Sequence, residues 1–212
     1  MRLLTPLLEW SAFCVAVFVV FLALSHYKIT NDITTPIIGV AFFMAGCMDA
    51  FHTLAADRLI PAVADNRDLI PFTWAICRTF NAIIMIAGVS ILLIRKKKSK
   101  SERGFGFVIS VSLIFGVIAY VIIHIAATTA HLPKTTFPNS FITRPYDALP
   151  LVLFLFAGLF IYPRLYKRHP SLFAHALVIS AIPEVVTQLH MTFGSTALFD
   201  NHFNIAHFMK IV

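Results

Sequence analysis

Residues 105–127 read FGFVISVSLIFGVIAYVIIHIAA and contain no Asp, Glu, Lys or Arg. An uncharged apolar run of about 18 or more residues is long enough to cross the hydrocarbon core of a bilayer as a helix. The rest of the chain has the same character, because 58% of its residues are hydrophobic and only 13% are charged. Soluble domains carry about 25% charged residues. The composition therefore predicts one membrane domain without a separate soluble domain.

Seven segments of this kind follow one another along the chain. They cover roughly residues 7–24, 36–54, 72–94, 104–128, 149–162 and 172–192, and a last helix opens near Asn201. The fifth segment is short for a hydrocarbon core of about 30 Å. It either starts earlier, at Tyr146, or lies where the bilayer is thin. We therefore expect an all-α, polytopic transmembrane bundle of about seven spans.

Basic residues are concentrated in alternate loops. Residues 95–103 read RKKKSKSER, and Arg164, Lys167 and Arg168 lie in the next loop on the same side. The positive-inside rule places these loops in the cytoplasm, which puts the N-terminus outside and the C-terminus inside. An eight-span variant stays open, because Arg2 fits an outer N-terminus poorly. The net charge of +7 is thus an orientation signal and does not indicate nucleic-acid binding.

Ionisable residues inside the spans gather at one level, in the half of the bilayer that we predict to be outer. Such residues are costly in a membrane and indicate functional sites. The predicted ligand pocket consists of Asp49, Arg78, Glu184, Asp200 and Asn204. The predicted metal ligands are His52, His190, His207 and His202.

Helical spacing refines this pocket. Asp49 and His52 are three residues apart and share one helix face. Asp49 with Arg78 is either an ion pair between the second and third spans or part of the site. Glu184 follows Pro183, so it either belongs to the pocket or satisfies backbone groups that the proline leaves free.

The residue types limit the cofactor. Imidazoles with a carboxylate suit zinc, copper or iron better than calcium or magnesium. Haem is the alternative, because two histidines on different spans can face each other across a porphyrin. His202 lies five residues before His207, so a regular helix turns them to different faces and one of them serves another role. We therefore expect a metal ion (Zn or Cu) or haem as the cofactor, and a small ligand in the pocket is the further alternative.

Three segments resemble one known family. Residues 46–54, GCMDAFHTL, resemble the G-x-x-D-x-x-H-T-L segment of bacterial membrane-associated sensor domains, the MASE group, and are nearest its third type. Trp74 and Arg78 match the W-x-x-x-R of that group's next span. Residues 200–210, DNHFNIAHFMK, resemble its closing H-x-x-K helix.

The resemblance implies a sensory input domain in the bacterial inner membrane. Residues 1–212 would form a single transmembrane sensor domain, with the last helix cut short before a cytoplasmic output module in cis. In this family that module is a histidine kinase, a PAS domain or a diguanylate cyclase. The other expected partners are membrane lipids and, by analogy, a second copy of the chain in a homodimer. No catalytic residue is expected in the chain itself.

The main alternative is a seven-span zinc hydrolase acting on lipid amides or esters, similar to the ceramidase and progestin-receptor-like group. In that case zinc activates a bound water, and Asp49 or Glu184 acts as the base. The spacings differ from that group, because the chain has Asp49-x-x-His52 in place of S-x-x-x-H, and no H-x-x-x-H. A transporter is a third interpretation, which the lack of inverted repeats in the sequence disfavours.

Overall fold

The computed structural model describes residues 4–30, 33–94 and 104–210. Every regular element in these ranges is a helix: α1 (Leu4–Thr30), α2 (Thr34–Ala56), α3 (Asn66–Ile94), α4 (Gly104–Thr128), α5 (Pro145–Arg168), α6 (Leu172–Gly194) and α7 (Asn201–Met209). The all-α prediction is confirmed. The predicted orientation rests on residues 95–103, and the predicted truncation of the last helix concerns residues 211–212. Both lie outside the described residues, as does Arg2.

Six of these helices, α1 to α6, are long and apolar enough to cross a membrane. The seventh predicted segment begins at Asn201, as expected, but α7 has nine residues in the described part of the chain. At 1.5 Å per residue, a helix of that length rises about 13 Å. Within the described residues, the bundle therefore has six helices of spanning length and a seventh helix, which is described over Asn201–Met209.

Two helices extend beyond their predicted limits. α5 runs from Pro145 to Arg168, so the earlier start, predicted at Tyr146 as one of two alternatives, holds to within one residue, whereas the predicted end at 162 is too early. Residues Ala157–Ile161 form a π-helical turn inside it. Proline suits the first position of a helix, here Pro145, because an N–H at that position has no intrahelical acceptor and its absence costs no hydrogen bond. α3 begins at Asn66, six residues before its predicted start, and continues through Pro71.

The first two helices pack closely because small residues face each other. A Cβ atom added to Gly46 would lie 2.7 Å from the Cβ of Ala16, and one added to Gly39 would lie 2.5 Å from the Cβ of Ala23. Glycine at such positions lets two membrane helices approach backbone to backbone. This contact holds α1 against α2.

The proline-rich loop between α4 and α5 is tied to the end of α6. Phe137 N–H donates to the carbonyl of Thr143 at 2.7 Å. The Thr143 hydroxyl and the Arg144 backbone N–H both donate to the carbonyl of Thr192, at 3.0 Å and 3.2 Å. These bonds turn the loop inward, so that α5 begins with the Arg144 side chain buried in the bundle.

Candidate functional site

A buried lysine joins three helices. Lys210 directly follows α7, and its Nζ lies 2.5 Å from Glu9 Oε2 on α1 and 2.9 Å from Asp49 Oδ1 on α2. The exposed fractions of the Lys210, Glu9 and Asp49 side chains are 3%, 2% and 11%. A buried charge is strongly unfavourable without a partner. The two carboxylates therefore hold the ammonium group and fix the end of α7 against α1 and α2.

Aromatic rings of α7 pack beside this lysine. Phe203 and His207 are one helical turn apart, with ring centroids separated by 4.1 Å, and the His207 ring lies 4.2 Å from the Trp74 ring. His207 Nδ1–H donates to the Phe203 carbonyl at 2.9 Å, which leaves Nε2 facing Glu9 Oε1 at 3.8 Å. Lys210 Nζ is 5.2 Å from the Trp74 ring centre, a cation–π distance. The stack thus adds α3 to the helices that hold α7.

His52 lies next to this stack and has a different partner. Its Nδ1 is 2.8 Å from Thr73 Oγ1, and that hydroxyl is 2.7 Å from the Leu69 carbonyl. A hydroxyl has one hydrogen to donate, so Thr73 donates to Leu69 and accepts the N–H of His52. The ring centroids of His52 and His207 are 6.3 Å apart. Two of the predicted metal ligands are therefore neighbours inside the bundle.

An arginine on α3 links two further helices, α5 and α6. Arg78 on α3 forms an ion pair with Glu184 on α6, and its Cζ lies 4.9 Å from the ring centre of Phe154 on α5. Arg78 is buried and Glu184 is half-buried. An ion pair between Asp49 and Arg78 was one of two predicted alternatives, and the structure does not contain it. Arg78 pairs with Glu184, and Asp49 pairs with Lys210.

A second buried arginine lies at the start of α5. Arg144 Nε is 2.7 Å from Asp147 Oδ2. Its other nitrogens donate to the Pro71 carbonyl at 3.2 Å and to the sulfur of Met191 at 3.4 Å. Both charged side chains are buried. Arg144 thus holds the beginnings of α3 and α5 together with the end of α6.

Four charged residues in this region were not predicted as site residues: Glu9, Arg144, Asp147 and Lys210. Glu9 carried a usable signal, because it is the only acidic residue of α1 and carboxylates inside a span are rare. Arg144 and Asp147 carried none. They lie where a polar loop meets a helix, a place where charged residues are ordinary.

The other two predicted metal ligands lie together at the end of the bundle. The Nδ1 atoms of His190 and His202 are 2.9 Å apart, and their ring centroids are 5.1 Å apart. His190 begins the π-helical turn that ends α6, and His202 is exposed in the first turn of α7. A hydrogen bond between two ring nitrogens needs a proton on one of them and a lone pair on the other. The four predicted ligands therefore form two separate pairs.

This division bears on the expected cofactor. Across residues 4–30, 33–94 and 104–210, no group of three or more His, Cys, Asp or Glu side chains is placed to hold a metal ion. The pairs of His52 with His207, and of His190 with His202, supply two imidazoles each. Zinc, copper or haem stays a prediction.

Asp200 caps the N-terminus of α7. Its Oδ1 accepts the N–H of Phe203 at 2.7 Å, and its Oδ2 accepts the N–H groups of Thr196 at 2.7 Å and Ala197 at 3.1 Å. Burial raises the pKa of this carboxyl, but the three donors outweigh burial, so the pKa of Asp200 lies below its ordinary value. Asp200 is thus a capping residue for α7.

Asn204 stabilises the same junction. Phe199 has a φ of 64°, the left-handed region that side chains other than glycine rarely adopt. The Asn204 side-chain amide donates to the Phe199 carbonyl at 3.1 Å. Asp200 and Asn204, both predicted as pocket residues, therefore hold the turn before α7.

A cavity of about 590 Å³ lies between α1 and α6, with α2 and α3 as its floor. The polar side chains on its wall include Asp49, Arg78, Asn81, Glu184 and Lys210. Pockets for small molecules have volumes of about 300–1,000 Å³ and combine apolar walls with a few polar groups. Three of the five predicted pocket residues lie on this wall. Asp200 and Asn204 do not.

A comparison with protein families shows the family to which the chain belongs. The family model of a membrane-associated sensor domain, MASE3, matches residues 3–212. The chain belongs to the MASE3 family. The resemblance seen at Asp49, Trp74 and His207 is thereby confirmed. No curated protein and no solved structure matches the chain.

Family and fold together give the coarse function. The MASE3 chain is a membrane-associated sensor domain, and its six helices of spanning length make it a multi-pass membrane protein. Inside the bundle Arg78 pairs with Glu184, and Lys210, directly after α7, pairs with Glu9 and Asp49. Arg78, Glu184, Asp49 and Lys210 all line the cavity.

Proposed function

We propose that this MASE3 domain is the sensory input domain of a signalling protein, that a small ligand binds in the cavity between α1 and α6, and that α7 transmits the binding. The observation that carries the proposal is the position of Lys210. This residue lines the cavity and also binds Glu9 and Asp49. A ligand in the cavity therefore lies against the group that positions α7.

Transmission requires two arrangements of the bundle with different affinities for the ligand, because only differential binding shifts an equilibrium. In one arrangement Lys210 binds both carboxylates, as in the structure. In the other, a ligand fills the cavity beside Lys210, and the end of α7 moves away from Asp49. Lys210 directly follows α7, so a change in its contacts displaces this end of the helix.

The recipient of the signal is proposed from the family. We expect a cytoplasmic kinase or cyclase module in cis, since residues 200–210 resemble the closing helix that leads to such modules. The same resemblance supports a homodimer. Membership of a membrane-associated sensor family supports an input role for the chain.

The described residues offer no arrangement that favours the zinc-hydrolase alternative. A catalytic zinc site needs three protein ligands and an open position, and the ring pair of His52 and His207 is joined by no third candidate ligand within the described ranges. A sensor is therefore the function we propose.

Distances between two spin labels test the coupling between the cavity and α7. Nitroxides are attached to Ile118→Cys on α4 and Phe208→Cys on α7, both exposed positions. Cys14 and Cys47 are replaced by Ala, and the buried Cys77 is kept. The distribution of distances between the two nitroxides is measured by pulsed electron paramagnetic resonance, with the chain in lipid nanodiscs.

Two substitutions should shift or broaden that distribution. Lys210→Met removes the ion pairs, and Ser180→Phe places a ring in the cavity as a substitute for a ligand. The matched controls are Lys134→Met, an exposed lysine, and Ile182→Phe, an exposed position of α6 outside the cavity lining. A distribution that is the same in Lys210→Met, Ser180→Phe and both controls would contradict transmission through α7.

A further inference from the structure

The cavity opens sideways, toward the surface that faces lipid. Val15 of α1 and Ile179 of α6 lie on its two edges and are 59% and 54% exposed. Both are interior positions of helices that span the membrane. A molecule dissolved in the hydrocarbon core therefore reaches the cavity without passing through water.

The lining of the cavity is divided by polarity. Its charged and amide side chains are Asp49, Arg78, Asn81, Glu184 and Lys210. The rest of the wall is apolar apart from Ser180, whose hydroxyl donates to the Leu177 carbonyl, and Val19, Phe42 and Phe173 lie on it. Apolar surface gains from contact with apolar groups, and buried polar groups require hydrogen-bond partners. The lining is therefore complementary to an amphiphile with one polar end.

Two polar atoms at this end lack partners. Within the described part of the chain, Asn81 Oδ1 and Arg78 Nε have no hydrogen-bond partner. Asn81 is 9% exposed and Arg78 1%, and their spacing of three residues puts them on one face of α3. One atom is an acceptor and the other a donor. A hydroxyl group has the matching chemistry for both, because it donates one hydrogen bond and accepts others.

The surrounding charges disfavour an ionic ligand. An anionic head would lie against the carboxylates of Asp49 and Glu184, and a cationic head would lie against Arg78 and Lys210. All four groups already have partners of opposite charge. An added ion would be buried without one, at high cost.

From these observations we propose that the cavity binds an uncharged amphiphile from the bilayer, with an apolar chain along α1 and α6 and a hydroxyl between Asn81 and Arg78. This names the ligand class of the proposed sensor and rests on that function. Entry from the bilayer, the divided lining and the unpaired donor and acceptor support it independently.

Three probes with the same chain and different heads test the ligand class: dodecanol, dodecanoate and dodecylammonium. Trp74 lies within 5.9 Å of Arg78 Cζ, and Trp10 is replaced by Phe so that Trp74 is the single tryptophan reporter. Each probe is titrated into the chain in nanodiscs. We expect dodecanol to give a saturable change in Trp74 emission, with an affinity about tenfold above that of either ion.

Substitutions separate binding in the cavity from partition into lipid. Ser180→Phe, which fills the cavity, should abolish the saturable change, and Ile182→Phe should retain it. Asn81→Leu removes the acceptor with little change in volume and should weaken dodecanol binding about tenfold. Equal or tighter binding of an ion, no saturation with any probe, or unchanged binding in Ser180→Phe would overturn the proposal.

The two proposals fail separately. If dodecanol does not bind but the spin-label distances change in Lys210→Met and Ser180→Phe, the ligand class is wrong and the transmission by α7 stands. If dodecanol binds as expected and the distances stay constant in both variants, the ligand class stands and transmission is contradicted.

Discussion

Lys210 Nζ lies 2.5 Å from Glu9 Oε2, so the last helix of the bundle is bound to the first across 201 positions of sequence. Asp49 of α2 completes the arrangement at 2.9 Å. The lysine is at the end of α7 and the carboxylates are on helices that also pack tightly on each other. One buried ammonium group therefore ties the end of α7 to both of these helices.

Replacing this ammonium should destabilise the bundle strongly. Lys210→Met leaves the carboxylates of Glu9 and Asp49 buried without a counter-charge, and breaking a buried pair costs about 3–5 kcal/mol. We expect a correspondingly lower midpoint of thermal unfolding in detergent. The measurement is tryptophan emission during heating.

Replacing the two carboxylates by neutral amides should restore part of the stability that Lys210→Met loses. In the Lys210→Met background, Glu9→Gln and Asp49→Asn remove the unpaired charges and should recover stability. Lys134→Met, at an exposed lysine whose Nζ lies 5.6 Å from the Phe137 ring centre, should change the free energy of unfolding by less than about 1 kcal/mol. An equal loss in Lys210→Met and Lys134→Met would show that the ammonium group does not hold α7.

Arg144 should not be replaceable by lysine. The guanidinium group contacts Asp147, the Pro71 carbonyl and Met191 with three different nitrogens. An ammonium is a compact point charge that cannot reach all three in this geometry. Arg144→Lys should therefore cost about 1–3 kcal/mol, measured by thermal unfolding. A variant as stable as the wild type would mean that charge alone suffices at this position.

The close contact of α1 and α2 should be sensitive to a single methyl group. Gly46→Ala places a Cβ 2.7 Å from that of Ala16, and such overpacking costs about 1–3 kcal/mol. Ala16→Gly in the same chain should restore stability. Gly106→Ala is the matched control, because nothing lies within 4 Å of its added Cβ. That control should be neutral or stabilising by up to about 1 kcal/mol, since alanine favours helix.

The stability contributed by the Asp200 cap of α7 should decrease at acid pH. Asp200→Ala removes a side chain that accepts three backbone N–H groups, and loss of an N-cap costs about 1 kcal/mol. The pKa of Asp200 is lowered in the folded protein. Its ionic contribution is therefore complete above the unfolded value of about 3.9 and is lost as the pH falls through the lower folded value.

Unfolding of wild type and Asp200→Ala at a series of pH values tests this. We expect the difference in stability to be constant above pH of about 4 and to narrow below it. Asp200→Asn keeps a capping oxygen without the charge, so its stability relative to Asp200→Ala should not vary with pH. A difference that widens on acidification would contradict the sign of the shift.

Much of the fold followed from the sequence. Apolar runs such as residues 105–127 identify helices because every backbone N–H and C=O in a bilayer must be bonded within the segment. The start of α7 at Asn201 was predicted, and the structure adds that Asp200, predicted as a pocket residue, is its N-cap. The limits of α5 were less accurate, because Tyr162–Arg168 continues the helix with polar residues.

The candidate site was only partly predictable. Asp49, Arg78 and Glu184 stood out because charges inside apolar runs are conspicuous, and all three lie on one cavity. Spacing also indicated correctly that His202 and His207 face different directions. It gave no indication that Glu9 lies beside Lys210.

The sequence by itself determined the helical class, the membrane location and the family, because these depend on hydropathy and on short motifs, which are local along the chain. The tertiary structure decided which charge pairs with which. Asp49 binds Lys210 and not Arg78, and Arg78 binds Glu184. These partners depend on which helices are neighbours and on how each is rotated about its axis. Packing of side chains distant in sequence determines the neighbours of each helix and its rotation. A periodic pattern within one helix does not contain this information.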